Sequence, residues 1–205
     1  MIDQAIAGFA AARAQTIAAI TPLNQVQLDF RSRPGSWSVG EVADHLVLAE
    51  ALYRGEMERL VELVKKGERP YIRRSFKEVN VSPFFLPDPV LTMFQVPLGI
   101  MSRMIPQPVR EMVTQFPLLP TRNPDIATPR PGRGAELIKK DLVDSLAQTR
   151  ALIANNAGMD FASMISEHPL TGVTNVAQIF GFLTLHERRH HTQMERVRTN
   201  PRFPQ

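Results

Sequence analysis

His186 and His190 stand four residues apart in Leu185-His186-Glu187-Arg188-Arg189-His190-His191, inside a run whose apolar residues recur at helical spacing. Ile179, Leu183, His186, His190, Met194 and Val197 mark one buried helix face, so both imidazoles are expected to point inward on successive turns. Two rings so placed can share one divalent ion, and a ligand from another helix would complete the set. His45 supplies it, from a second inward stripe of Val42, His45, Ala49 and Leu52. One histidine on an apolar face is ordinarily a hydrogen-bonded core residue. Three differ, because burying several unpaired imidazoles costs stability unless something satisfies their nitrogens, and a single divalent metal satisfies all three. His191 is turned about 100° from His190 and shares its side with Phe180, Thr184 and Glu187, so it ranks below the others as a ligand. His168, before Pro169, reads as a structural residue in a turn.

The same string also spells His-Glu-x-x-His, the zinc-peptidase pattern in which the glutamate is the general base. The extended form of that pattern needs Gly at 193 and His at 196, where this chain has Gln193 and Arg196. A distant downstream carboxylate has little room either, since the chain ends soon after His190. The peptidase reading therefore ranks well below a metal-binding bundle. No general base is identified; the angle of Glu187 on its helix assigns it to the surface or to a place behind the ligands.

Four long helices are expected to position these residues. The first covers residues 2 to 20, with Ile2, Ile6, Phe9, Ala10, Arg13, Ile17 and Ile20 at helical spacing and Thr21-Pro22 ending it. The second opens at Trp37-Ser38-Val39-Gly40-Glu41, where Ser38 and Glu41 form a capping box, and runs to about Lys66 before Gly67. The third spans about Ala135 to Asn155, with Leu137, Ile138, Leu142, Leu146 and Ile153 facing inward. The fourth starts near Thr174 or Asn175 and stops before Pro201. Between Glu68 and Gly134 fall twelve of the seventeen prolines, together with Phe84, Phe85, Phe94 and many aliphatic residues. Long helices cannot pass through such a segment, yet it is too apolar to stay solvated. It is expected to be an ordered excursion, with one or two short helices around residues 88 to 116, packed on an all-α bundle.

Composition bounds the remaining possibilities. A chain of 205 residues with 43% apolar content fits one domain, residues 1 to 205, with a full core. With no cysteine, thiolate ligands from the chain and disulfides are both excluded, and a reducing cytoplasm is the expected compartment. The N-terminus does not read as a signal peptide, and no stretch reaches membrane-spanning length. The net charge of +4 is spread out, apart from Arg69, Arg73, Arg74 and Lys77. No dense basic face or reading motif accompanies it, which argues against nucleic acid and leaves an anionic substrate or a phospholipid surface open.

Two segments carry a family resemblance. PGSWSVGEVADHLVLAE, at residues 34 to 50, resembles the first signature of the DinB/YfiT-like metal-binding four-helix bundles. HPLTGVTNVAQIFGFLTLHERRHHTQMERV, at 168 to 197, is similar to the second, a His-Pro turn followed by His-x-x-Arg-His-x-x-Gln. Carried over by motif, the metal triad is His45, His186 and His190. The resemblance implies an up-down-down-up bundle, frequently a homodimer, that binds a divalent metal, zinc or nickel. It also implies a small-molecule substrate, with a low-molecular-weight thiol taking part in a transferase reaction. A metal-dependent hydrolase at the same ion, or a non-catalytic metal- or ligand-binding stress-response protein, is the alternative. Three neutral imidazoles leave an ion's charge uncompensated, which favours a thiolate or hydroxide as fourth ligand. Any such thiol must come from outside the chain.

Overall fold

The computed structural model describes residues 2 to 74, 127 to 168 and 172 to 205. Its helices are α1 (Ile2–Ile20), α2 (Gln25–Asp29), α3 (Val39–Lys65), α4 (Ala135–Ala154) and α5 (Val176–Arg198), and its strands are β1 (Tyr71–Arg73), β2 (Ile165–His168) and β3 (Gly172–Asn175). The chain is predominantly helical, as the periodicity predicts, and the four long helices fall within two residues of their expected limits.

Local chemistry explains those limits. Ser38 accepts from the Glu41 amide at 3.2 Å, and the Glu41 side chain accepts from the Ser38 amide at 2.8 Å, closing the box that starts α3. Asn175 and Gln178 do the same for α5. Each cap contributes about 1 kcal/mol by satisfying amides the helix leaves orphaned. Gly67, at φ 72°, turns the chain out of α3 in a conformation other residues adopt with strain.

The long helices pack around two apolar clusters. One gathers Phe9, Met57, Leu60, Ile153, Phe180 and Leu183, and the other Ile20, Val39, Leu46, Ile138, Leu142 and Met194. The N-terminal half of α1 therefore meets the N-terminal half of α5, as in the Phe9–Phe180 ring contact at 6.2 Å. The same cluster holds the C-terminal ends of α3 and α4, so these two run against α1 and α5. Between the clusters lies a layer of buried charge. Arg13 donates to Glu187 from Nε at 2.8 Å and from Nη2 at 3.1 Å, and its Nη1 donates to Glu50 at 2.8 Å and to the Leu142 carbonyl at 3.1 Å. Thr149 donates to the second oxygen of Glu50 at 2.7 Å. Burial alone would lower the basicity of Arg13, but the carboxylates of Glu187 and Glu50 raise it above its ordinary value.

The structure departs from expectation in four places. A small sheet is present, β1 pairing parallel with β2 and β2 antiparallel with β3, in strands of three or four residues, too short for an alternation to stand out. His168 accordingly ends β2, its backbone opposite Gly172, instead of sitting in a turn. The short helix α2, with its own capping box at Asn24 and Gln27, was not anticipated. Leu137 is 49% exposed because the inward stripe of α4 is Ile138, Leu142, Ser145, Thr149 and Ile153, from which it is offset by one residue. The expected packing and short helices of the Pro-rich excursion fall mostly on residues 75 to 126, outside the described residues.

Candidate metal centre

His45 rides on the second turn of α3, held in register by the Ser38 cap, while His186 and His190 occupy adjacent turns of α5. The three side chains meet. His45 Nε2 lies 3.3 Å from His186 Nε2, and His190 Nε2 lies 3.2 Å from the same atom. His45 and His190 are buried and His186 is partly so. These are the three residues the helical stripes turn inward. Among the described residues they form the group of histidine and carboxylate side chains close enough to hold a metal ion.

The outer nitrogens settle how the inner ones are used. His45 Nδ1 is 2.7 Å from the Ala127 carbonyl, which can only accept, so that nitrogen carries the proton. His190 Nδ1 likewise donates to Gln193 Oε1 at 2.8 Å. Both rings therefore present an unprotonated Nε2 to His186, and a single proton on His186 Nε2 could satisfy only one of them. A cation placed among the three would satisfy all. The two spacings to His186 Nε2 are within about 0.2 Å of that between nitrogens lying about 2.0 to 2.1 Å from a tetrahedral ion, and all three ligand atoms lie within 4.8 Å of one another. The residues thus fit a divalent metal by both geometry and donor chemistry.

Electrostatics points the same way. Burial is the main cause that pushes all three imidazoles below the ordinary histidine value. His190 is pushed down to about 3 by burial, then by His45 and Arg189, against the Gln193 hydrogen bond. His186 falls well below its usual value through burial, His190, His45, Arg189 and Arg13. For His45 burial outweighs the opposing hydrogen bond to Ala127. At neutral pH all three are in the uncharged form that ligates metal.

Aromatic rings wall the cluster. Trp37, the residue before the Ser38 cap, lies 5.0 Å from the His45 ring and 6.4 Å from that of His190. Phe182 stacks on His186 at 5.7 Å, and Tyr53 packs on Phe182 at 5.0 Å.

Sequence reasoning missed the support behind His45. Asp44 is fully buried and accepts from the Arg130 amide at 2.8 Å, from Arg130 Nη2 at 2.7 Å and from Arg133 Nη1 at 2.7 Å. Burial would raise the Asp44 carboxyl, but its bonds to Arg130 and Arg133 hold it below the ordinary value. This clamp fixes the segment whose Ala127 carbonyl orients His45. A charged residue inside Val42-Ala43-Asp44-His45-Leu46 signals a buried partner, but nothing in the sequence says that the partner lies 86 positions away.

Glu187 corrects an expectation as well. Of the two places expected for it the surface is excluded: it lies in the core, 1% exposed, with both oxygens hydrogen-bonded to Arg13. It is thereby unavailable as the base of a zinc-peptidase mechanism. His191 stands outside the three-histidine group, its Nδ1 buried without a hydrogen-bond partner among the described residues.

No helix among the described residues is long and apolar enough to cross a membrane. Neither a curated protein nor a solved structure matches the chain. A family does. The model of the DinB superfamily matches residues 9 to 194, a span that includes all three converging histidines, the Trp37 wall and Gln193. On that match, and with the helical fold it requires, the chain belongs to the DinB superfamily.

Proposed function

We propose that the protein is a metal-dependent enzyme that holds zinc or nickel through His45, His186 and His190 and carries out a transfer reaction with a low-molecular-weight thiol. The observation that carries the metal reading is the meeting of three Nε2 atoms, two of them deprotonated by the hydrogen bonds at their Nδ1 atoms. When bound, the ion supplies Lewis acidity and a site for an anionic ligand. The chain's own part is to keep the imidazoles neutral by burial, to orient them through Ala127 and Gln193, and to exclude water with Trp37 and Phe182.

A thiol suits this centre because three uncharged ligands leave the ion's charge to be balanced by an anion, and thiolate is a good ligand for such ions. The chain has no cysteine to compete for that position. Thiols of this kind are abundant in a reducing cytoplasm, where we place the protein, and we take it to act as a homodimer, which light scattering tests. A peptidase-like hydrolase is disfavoured by the engagement of Glu187 with Arg13.

Elemental analysis tests the ligand set. Wild-type protein should carry one metal per chain, and the double substitution His186→Ala with His190→Ala should lose it while staying helical by circular dichroism. His191→Ala should keep the metal. Metal-free wild type after growth and dialysis with zinc or nickel would sink the reading. Metal loss in His191→Ala would reassign the ligands.

A further inference from the structure

The motif His186-x-x-Arg189-His190-x-x-Gln193 has one member without a task. His186 and His190 converge with His45, and Gln193 orients His190. Arg189 is exposed, and no described residue takes its guanidinium in a hydrogen bond or an ion pair. The contrast with the buried or clamped arginines is direct: Arg13 is matched by Glu50 and Glu187, and Arg130 and Arg133 by Asp44.

Arg189 nevertheless stands close to the centre. It immediately precedes His190 in the chain and lies one turn from His186 on α5. It follows His186 by three positions and Phe182 by seven, so the three share one flank of α5. Phe182 is stacked on His186 on that flank. A molecule lying there would meet an aromatic wall, the imidazole that faces the other two, and a guanidinium.

A fixed cation next to a divalent ion opposes the ion's binding by simple repulsion. Arg189 therefore does not serve metal affinity, and its exposed side chain makes no hydrogen bond or ion pair with a described residue by which it would hold the fold. Among the described residues, the carboxylates next to the ligands in sequence are already used: Asp44 faces two arginines, and Glu187 shares Arg13 with Glu50. Among the described residues nothing balances Arg189, which leaves that part to a ligand. A guanidinium presents a planar fork of donors that suits carboxylate, sulfonate or phosphate.

We propose that Arg189 is the anion-binding residue of a substrate subsite beside the three-histidine centre, and that the molecule taken there bears a carboxylate, sulfonate or phosphate group within reach of the atom that meets the ion. This rests on the metal-centre reading above, and the test separates the two. Wild-type protein is loaded with cobalt(II), whose near-ultraviolet thiolate charge-transfer band reports ligation, and titrated with 3-mercaptopropanesulfonate and with 3-mercaptopropanol. The two probes have the same thiol and reach and differ in the anionic end, and a sulfonate is a poor ligand for the ion itself.

Wild type should bind the sulfonate roughly ten- to a hundredfold more tightly, the range expected of a charge-assisted hydrogen bond. Arg189→Gln should lose that preference while still binding 3-mercaptopropanol, and Arg189→Lys should recover part of it. Arg189→Gln should also bind cobalt(II) at least as tightly as wild type, because a repulsive charge has gone; a merely structural role would weaken the metal. Cobalt(II) uptake with no preference in wild type, or a preference that survives in Arg189→Gln, overturns the subsite alone. Failure of wild type to take up cobalt(II) overturns the centre and the subsite with it.

Discussion

A histidine offers a metal whichever ring nitrogen its surroundings leave without a proton, and here the Ala127 carbonyl and the Gln193 amide make that choice for two rings. Gln193→Ala frees His190 to rotate and to change tautomer. It should weaken metal binding by about ten- to a hundredfold, read by competition with a chromogenic chelator. Asp44→Asn acts at one remove, loosening the segment that carries Ala127, and should weaken the metal in the same assay with the three ligands intact. Unchanged affinity in both would show that the rings are held by packing alone. Protons give a second handle. All three imidazoles lie below their ordinary value, so in the metal-free protein the unfolded chain binds more protons and stability rises with pH. For His190 the window runs from about 3, its folded value, up to about 6.5 in the unfolded chain. Each histidine contributes a slope of up to about 1.4 kcal/mol per pH unit within its window. The denaturant midpoint of metal-free protein should therefore fall between pH 7 and pH 5, and a flat profile would mean that the native rings titrate as free histidines do. Where three imidazoles stand was readable from residue types and a 3.6-residue period. What holds them was not, because Ala127 acts through a backbone carbonyl that no side chain advertises, and the partners of Asp44 are distant in the chain.

Helices were legible for the same reason that their ends were: Ser38 with Glu41 spells a cap and Gly67 a stop. The strands were not, since Tyr71–Arg73 and Ile165–His168 are defined by each other's hydrogen bonds and not by a pattern of their own. Leu137 shows a different limit. It is as apolar as Ile138, and only the stripe continued through Ser145 and Thr149 tells which of the two faces in. Ser145 accepts from Arg54, and Thr149 belongs to the charged layer that ties four helices together, Arg13 from α1, Glu50 from α3, Thr149 from α4 and Glu187 from α5. Arg13→Met leaves two carboxylates buried beside each other and should cost about 3–5 kcal/mol, seen as a lower urea midpoint. Replacing Arg13, Glu50 and Glu187 together by Met, Leu and Leu should recover most of that loss, because desolvation of the ions offsets much of their attraction. A triple variant as unstable as the single one would show that the ion pairs contribute net stability.

For the molecule as a whole, a metal held by the three histidines would be linked to the fold by mass action. A ligand at a hundred times its dissociation constant adds about 2.7 kcal/mol to a protein that binds it only when folded. In a domain of this size that is a rise of about 5–10 °C in the unfolding temperature. Zinc or nickel should produce it in wild type and not in the His186→Ala, His190→Ala variant, as differential scanning fluorimetry can show. The buried charge layer has a further consequence, in time. Its members come from positions 13, 50, 149 and 187, so no stretch of chain can assemble it locally, and its charges are desolvated to advantage only when all four helices are in place. Such contacts are expected to form after the folding barrier is crossed. Conservative changes within the layer should leave the refolding rate nearly untouched and speed unfolding, so the layer acts as a latch that sets how long the native state lasts and not how quickly it is reached.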